Sequence, residues 1–520
     1  MEEIQVKSKS GPIVGETYKG ISSFKGIPFA RAPIGELRFA PPQDIAPWTA
    51  PLKAFNYGPI AHQYFDSSDF LAPPARSYTL SEDCLSLNIW TKEAGNAEAR
   101  LPVFIFIHGG GFAIGSSGQP MFGRFSFGKK LKSLYDGSFL AGQGIVVVTC
   151  NYRLGALGFL ASNETLKRHG TTGNWGLLDQ LKAIEWVKNN IEAFGGDPTE
   201  ITVGGESAGS MSVSALIVSP LAKGLFQRAI LQSGTIFSFP QVPVARGDLT
   251  KGIKVGNIML SLMGLEDNEE GFLALQKVPA GTLAKLSALN MNFTKLSPFA
   301  MFPVADGYVI PFNPLEKMAQ GEFNQVPLLL GTNGDEGSIF IPEKADIREL
   351  ESSEITFLGS KALKFFLELS GLSGLKPYER TRKAIAYAVF TAGTKRLADL
   401  YSKYQNTYVY NFNYSSIPAR MLGLGPHHAA ELPFIFNTLP KLSLVWGFHA
   451  KKLSKEIQLR WVSFIKTGIP NPPEVEPRAL WPVYDAKAPR VLILDKLVVR
   501  GKYPDEASLN TMADAFFGKL

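Results

Sequence analysis

The pentapeptide Gly205-Glu206-Ser207-Ala208-Gly209 lies between a short β-branched run, Ile201-Thr202-Val203, and an apolar stretch from Met211 to Val218 that predicts a buried helix. Strand, sharp turn and helix in that order leave the fold little freedom. In a G-x-S-x-G elbow the glycines give the backbone room where a Cβ would clash, and the serine hydroxyl stands exposed at the strand tip. Ser207 is therefore a candidate nucleophile. With 50 glycines among 520 residues the pattern alone is unspecific. Upstream, however, Val103 to Ile107 is a buried-strand run ending in His108-Gly109-Gly110-Gly111-Phe112. Such a glycine loop aims backbone N–H groups at a developing oxyanion. Either cluster alone reads as a tight turn; both, in this order, point to acyl transfer.

A nucleophilic serine needs a base and an acid, and in sheets of this kind they follow it in the order serine, acid, histidine. Only six histidines occur, and three lie beyond Ser207: His427, His428 and His449. The first two sit in a Gly/Pro loop, Gly423 to His428, that runs into an apolar segment; His449 reads as part of a helix on a solvated face. Spacing alone does not choose between His427 and His428. For the acid, Val326 to Leu330 predicts a strand, and Gly331 to Ser338 is the loop at its carboxyl end, where catalytic groups of open α/β sheets gather. Asp335 and Glu336 both qualify, since either carboxylate could fix the histidine tautomer and stabilise the imidazolium.

These residues resemble the type-B carboxylesterases, and the resemblance runs along nearly the whole chain. It includes Phe24-Lys25-Gly26-Ile27-Pro28-Phe29-Ala30, Ser81-Glu82-Asp83-Cys84-Leu85-Ser86-Leu87-Asn88, Asn151-Tyr152-Arg153-Leu154-Gly155, Gly173-Asn174-Trp175-Gly176 and Phe194-Gly195-Gly196-Asp197-Pro198. Among such esterases the wording is most like bacterial para-nitrobenzyl esterases. The resemblance implies an α/β-hydrolase fold: a large, mostly parallel central sheet flanked by helices, with helical cap insertions. It also implies a serine carboxylesterase that needs neither cofactor nor metal. Carried over residue by residue, the nucleophile is Ser207, the acid Glu336 and the base His428, which precedes Glu431 by three. The oxyanion donors become the amides of Gly110, Gly111 and Ala208; Ser233 supports the triad carboxylate, and Phe299 is the acyl-pocket residue, with Ser297 leaving space beside it. Arg38, Glu82 and Arg153 match an ion-pair set beneath the site. The same triad also serves hydrolysis of feruloyl-type esters, amides or carbamates. A remote alternative is a non-catalytic binding homologue, which requires a lost serine or histidine, and here both are present.

Two departures from the family bear on compartment and substrate. Extracellular relatives close a loop with a disulfide ending at the cysteine matching Cys84; the partner position here is Ala61, so that bridge cannot form. Cys150, the other cysteine, ends an apolar run and reads as core. Two unpaired cysteines and an acidic start, Met1-Glu2-Glu3, predict a reducing, cytoplasmic location without a signal peptide. Choline-ester relatives hold the quaternary ammonium on a tryptophan ahead of that cysteine; none occurs between Trp48 and Trp90. The loop around Ser67 to Arg76 is expected to be mobile and the gorge mouth open to bulky neutral esters.

Length alone suggests ~3 domains, yet nucleophile, acid and base spread from 207 to 428 must meet in one site. One domain over 1–520 with insertions at about 240–300 and 345–400 is the expectation. Apolar runs of about seven or eight residues fall far short of the ~20 that span a bilayer. The net charge of +7 is mild for this size, and no run of five basic residues occurs, so a nucleic-acid partner is not expected. A small-molecule ester is the expected partner of a monomer or weak oligomer. Leu177, Leu181, Ile184, Val187 and Ile191 recur at helical spacing and mark a core-facing helix.

Overall fold

The computed structural model describes residues 2–64, 78–118, 133–238, 248–288, 301–340, 374–439 and 443–519. One 13-stranded sheet organises them. Its strands are β1 (Glu2–Ser8), β2 (Gly11–Tyr18), β3 (Ile21–Pro28), β4 (Leu52–Lys53), β5 (Ser86–Thr91), β6 (Leu101–Ile107) and β7 (Val146–Cys150). They continue with β8 (Gly196–Glu206), β9 (Arg228–Gln232), β10 (Leu328–Asn333), β11 (Thr407–Phe412), β12 (Arg490–Leu494) and β13 (Val498–Lys502). The order is β1-β2-β3-β5-β7-β6-β8-β9-β10-β11-β12-β13, with β4 beside β2. From β7 to β12 every neighbouring pair is parallel. The two margins are antiparallel, apart from the short β4, which runs parallel to β2.

Parallel strands covered on both faces need apolar side chains in both directions, which is why β6 reads Leu-Pro-Val-Phe-Ile-Phe-Ile and β7 Val-Val-Val-Thr-Cys. The two-residue period then sorts them. Val103, Ile105 and Ile107 enter one core, Phe104 and Phe106 the other. Val146 and Val148 likewise face the first core and Val147 the second.

The helix marked by Leu177 to Val187 runs from Trp175 to Asn190, and Ile191 opens the 3-10 turn after it; all five marker residues are in the first core. Helices Leu249–Leu262, Glu269–Leu275 and Ala280–Leu286 lie within the first stretch expected to be helical. The second holds Pro377–Ala386 and Ala392–Tyr401, joined by a π-helical turn, Tyr387–Thr391. Among the described residues no helix is long and apolar enough to cross a membrane. Phe299, Ser297 and the loop around Ser67 to Arg76 lie outside the described residues.

Parallel pairing sends the carboxyl ends of β6, β8, β9, β10 and β11 to one edge in succession. Each chain segment leaving that edge carries one of the motifs singled out from sequence.

Candidate active site

Ser207 follows the last residue of β8 and precedes the helix Ala208–Val218. Its backbone stands at φ 57° and ψ −123°, a conformation that costs about 1–3 kcal/mol and persists only where the surroundings enforce it. The enforcement is visible: the Ser207 amide donates to Gln232 O at 2.8 Å, and Ser207 O accepts from Met211 N at 2.9 Å. The strained φ falls on the serine itself, whereas Gly205 and Gly209 provide space. A Cβ on Gly205 would sit 2.4 Å from the Gly209 carbonyl carbon, and one on Gly209 2.0 Å from Ile107 O. The elbow therefore packs against β6 by backbone alone. Ser207 keeps partial exposure amid buried neighbours.

From β6 the chain enters His108 and the three glycines. Gly110 (φ 112°) and Gly111 (φ 61°) both take left-handed backbone, and among the described residues their amides have no acceptor. Gly109 abuts the elbow: a Cβ there would meet Glu206 O at 2.7 Å. Ala208 opens its helix, so its amide is one of the first-turn donors that a helix leaves unpaired. His108 is buried, its ring stacked on Tyr152 at 4.5 Å, and burial pushes its ionisation down to about 4.

The structure separates the two carboxylates that spacing left open. Glu336 is fully buried, and its Oε2 lies 2.6 Å from His428 Nδ1 while its Oε1 accepts the Asn333 amide at 2.7 Å. Asp335 turns the other way and pairs with Arg382, whose Nε donates to Oδ1 at 2.9 Å. The two histidines separate as cleanly. His428 is buried against the rings of Phe390 (4.4 Å) and Phe340 (5.3 Å), which also pack on each other at 6.0 Å. The His427 ring faces its neighbour's carbonyl, Nδ1 to His428 O at 2.8 Å. His449 is exposed within the helix Ser443–Thr467.

His428 Nε2 points toward the elbow, 3.1 Å from Glu206 Oε1. That distance is within ion-pair reach, but the angle is not that of a hydrogen bond, and both atoms are without one. Three buried carboxylates thus surround one imidazole. Burial opposes charging of His428, yet Glu206 and Glu336, with Glu431 behind them, carry its proton affinity well above the ordinary histidine value. Glu206 moves the same way: burial, helped by Glu431 and Glu336 and opposed by His428, raises it far above the usual carboxylate range.

Glu431, three residues after His428, reaches the site through amides. It accepts from Gln232 Nε2 at 2.8 Å and Asn333 Nδ2 at 2.6 Å. Asn333 also donates to His427 O at 2.7 Å, so one side chain ties the acid loop to the histidine loop. Ser233, expected to support Glu336, is buried with no hydrogen-bond partner for its hydroxyl among the described residues, and Glu336 Oε1 accepts the backbone amide of Asn333. The ion-pair set also divides. Arg38 pairs with Glu82, but Arg153 pairs with Asp179, fully buried on the helix Trp175–Asn190. Sequence reading missed Asn333, Arg382, Phe390 and Asp179. Asn333, at the tip of β10, is the one whose position beside the acid loop could have marked it.

An elbow serine at the carboxyl edge of a mostly parallel sheet, facing a buried carboxylate–imidazole pair, defines an α/β-hydrolase. The sequence profile described as the carboxylesterase family matches residues 2–512, and the chain belongs to that family. It is 34% identical to the para-nitrobenzyl esterase of Bacillus subtilis (strain 168), covering 96% of each chain. It is 33% identical to the fumonisin B1 esterase of Sphingopyxis macrogoltabida, over 89% of this chain and 82% of that one. A solved thermophilic PNB esterase superposes with a TM-score of 0.81 at 31% identity, covering 98% of this chain and 99% of the other. The protein is a serine carboxylesterase, a carboxylic ester hydrolase.

Proposed function

We propose that Ser207 is the nucleophile, His428 the base and Glu336 the acid, with Gly110, Gly111 and Ala208 supplying the oxyanion amides. The observation that carries this is the 2.6 Å contact of His428 Nδ1 with buried Glu336, beneath a Nε2 that has no hydrogen-bond partner and faces the elbow. Glu336 fixes the tautomer with the proton on Nδ1, leaving Nε2 to accept. Ser207 Oγ makes no hydrogen bond to it, and such contacts commonly tighten only with substrate bound.

In the first half-reaction Oγ bonds to the ester carbonyl carbon as its proton passes to Nε2, and the carbonyl oxygen takes the electron pair between the three amides. Collapse expels the alkoxide, which leaves with the proton from Nε2. Water, giving a proton to the same nitrogen, then bonds to the acyl carbon, the bond to Oγ breaks, and Nε2 returns the proton to Oγ as the acid leaves. Each oxyanion donor is worth ~2.7–4 kcal/mol of barrier, so the glycine loop ranks close to the triad.

Neutral aromatic esters of the para-nitrobenzyl type are the substrate class this reading favours, on the likeness to the Bacillus enzyme and the absence of a tryptophan between Trp48 and Trp90. The stretches at about 240–300 and 345–400, whose described parts hold the helices from Leu249 to Leu286 and from Pro377 to Tyr401, are taken as insertions of one domain covering the site. Unpaired, buried Cys84 and Cys150 suit a reducing, cytoplasmic compartment, and a monomer or weak oligomer without nucleic acid completes the reading.

Ser207→Ala tests it: hydrolysis of short para-nitrophenyl esters should fall by about 10⁶ with the fold intact, as for other triad serines. A serine-reactive organophosphate should label the native protein at that residue alone. A variant retaining more than about a thousandth of the wild-type kcat removes Ser207 from the role.

A further inference from the structure

Arg382 lies on the helix Pro377–Ala386, far along the chain from both loops it touches. Its guanidinium forks onto Asp335, with Nε on Oδ1 at 2.9 Å and Nη2 on Oδ2. Both Nη groups also face Gly423 O at 3.4 Å. The side chain is 8% exposed. Asp335 immediately precedes Glu336, and Gly423 opens the loop that ends in His428. One buried cation therefore braces the loop of the acid against the loop of the base. The fit is close on both sides: a Cβ on Gly337 would sit 2.3 Å from Arg382 O, and one on Gly425 2.3 Å from Asp335 Oδ2. The same helix continues into the π-helical turn Tyr387–Thr391, whose Phe390 lies on the His428 ring, and such turns concentrate at functional sites.

A buried ion pair is weak evidence for stability, because desolvation offsets much of its attraction. Its value here is geometric. We propose that Arg382 is a positioning residue for the acid–base pair, holding Asp335 and the Gly423 carbonyl so that the Glu336 and His428 loops meet at the reacting distance. The inference rests on the reading of Ser207, His428 and Glu336 above.

The groups facing His428 and its partner loop are Glu206 from the elbow, Asp335 and Glu336 from the acid loop, and His427 and Glu431 from its own segment. Arg382 and Lys383 face them from the helix, and the Tyr135 and Tyr410 phenols from the second core. Within that set Arg382 covers the charge of Asp335. Removing the cation exposes the aspartate and strengthens proton binding at His428; removing the aspartate exposes the cation and weakens it.

The test uses the full chain with para-nitrophenyl acetate and four variants: Arg382→Gln, Arg382→Lys, Asp335→Asn and the Arg382→Gln/Asp335→Asn double change. For Arg382→Gln, kcat should fall about ten-fold with KM within about two-fold, and the acid limb of kcat/KM should rise by about half a pH unit. Asp335→Asn should move that limb downward, the double variant should return it to the wild-type position, and Arg382→Lys should retain most of kcat. An unmoved limb in both single variants overturns the proposal, as does a loss of kcat that tracks only the loss of folded protein. Should Arg382→Gln fail to fold, the downward shift in Asp335→Asn decides the matter, and its absence overturns the idea. Activity surviving in Ser207→Ala would instead remove the underlying triad reading, so the two failures are distinct.

Discussion

At residue scale the site is an arrangement of charge. His428 has carboxylates on both ring nitrogens, Glu336 on Nδ1 at 2.6 Å and Glu206 near Nε2 at 3.1 Å. The adjacent His427 turns to a backbone carbonyl. His428→Ala should therefore cost about as much kcat as losing the serine, whereas His427→Ala should cost less than about ten-fold. The reverse order in steady-state turnover would reassign the base. Glu336→Gln should impair turnover far more than Asp335→Asn by the same measurement. Glu206 bears on pH. Its folded-state proton affinity lies above the ordinary carboxylate value of 4.5 and that of His428 above 6.5. The two form one coupled buried pair, which holds a proton in the native state that the unfolded chain has already released, so the stability it contributes is present at low pH and lost as pH rises through the raised values. A plot of thermal midpoint against pH should fall on the alkaline side, and less steeply for Glu206→Gln. In that variant the acid limb of kcat/KM should also move to lower pH, since one of the carboxylates lifting His428 is gone. A limb that stays in place would show that Glu206 carries no charge the histidine feels.

At the scale of elements, the strand–turn–helix at 207 and the strand–glycine loop at 108 work as one object, because Gly109 and Gly209 let two backbones touch without side chains between them. Gly110 tests this. Its φ of 112° is glycine territory, and a Cβ there would sit 2.1 Å from Ile114 O, a backbone atom that cannot yield cheaply. Gly110→Ala should displace the loop and lower kcat by about 10²–10³ with little change in KM, in line with loss of one oxyanion donor. An unchanged kcat would exclude this loop from the chemistry. Strand β6, the elbow and the core helix were legible because their patterns are local: two-residue alternation, glycine spacing and 3.6-residue recurrence each act within about a dozen residues. Ser233 shows the other case. The motif around it matches relatives, yet its hydroxyl has no partner and Glu336 rests on the Asn333 amide, a contact set by how β10 ends rather than by any local pattern.

At the scale of the whole molecule, buried ion pairs tie distant segments together. Arg153 and Asp179 meet at 2.8 Å with 4% and 0% of their side chains exposed, and Arg153 also donates to Ala40 O. Asp179→Asn leaves a buried guanidinium without its counter-charge and should cost ~3–5 kcal/mol of stability, read as a fall in the thermal midpoint. Glu82→Gln should cost less, since Arg38 keeps the carbonyls of Gln276 and Val278 and its pair is more exposed. Equal losses would show that burial does not rank these pairs.

The sequence by itself determined the kind of chemistry, the order of the motifs and the strands that carry them. Elbow, glycine loop and acid loop each need particular residues within a few positions, so a linear reading recovers them. It could not divide Asp335 from Glu336, or His427 from His428, from spacing alone. Neighbours in the chain share composition, and only their far partners differ: Arg382 for one carboxylate, His428 for the other. Those partners arrive from remote segments: His428 from the loop after β11, whose end parallel pairing sets beside that of β10, and Arg382 from the helix Pro377–Ala386. The third carboxylate, the amide bridge of Asn333 and the clamp of Arg382 likewise exist only where long-range packing excludes water and makes every buried charge find a partner.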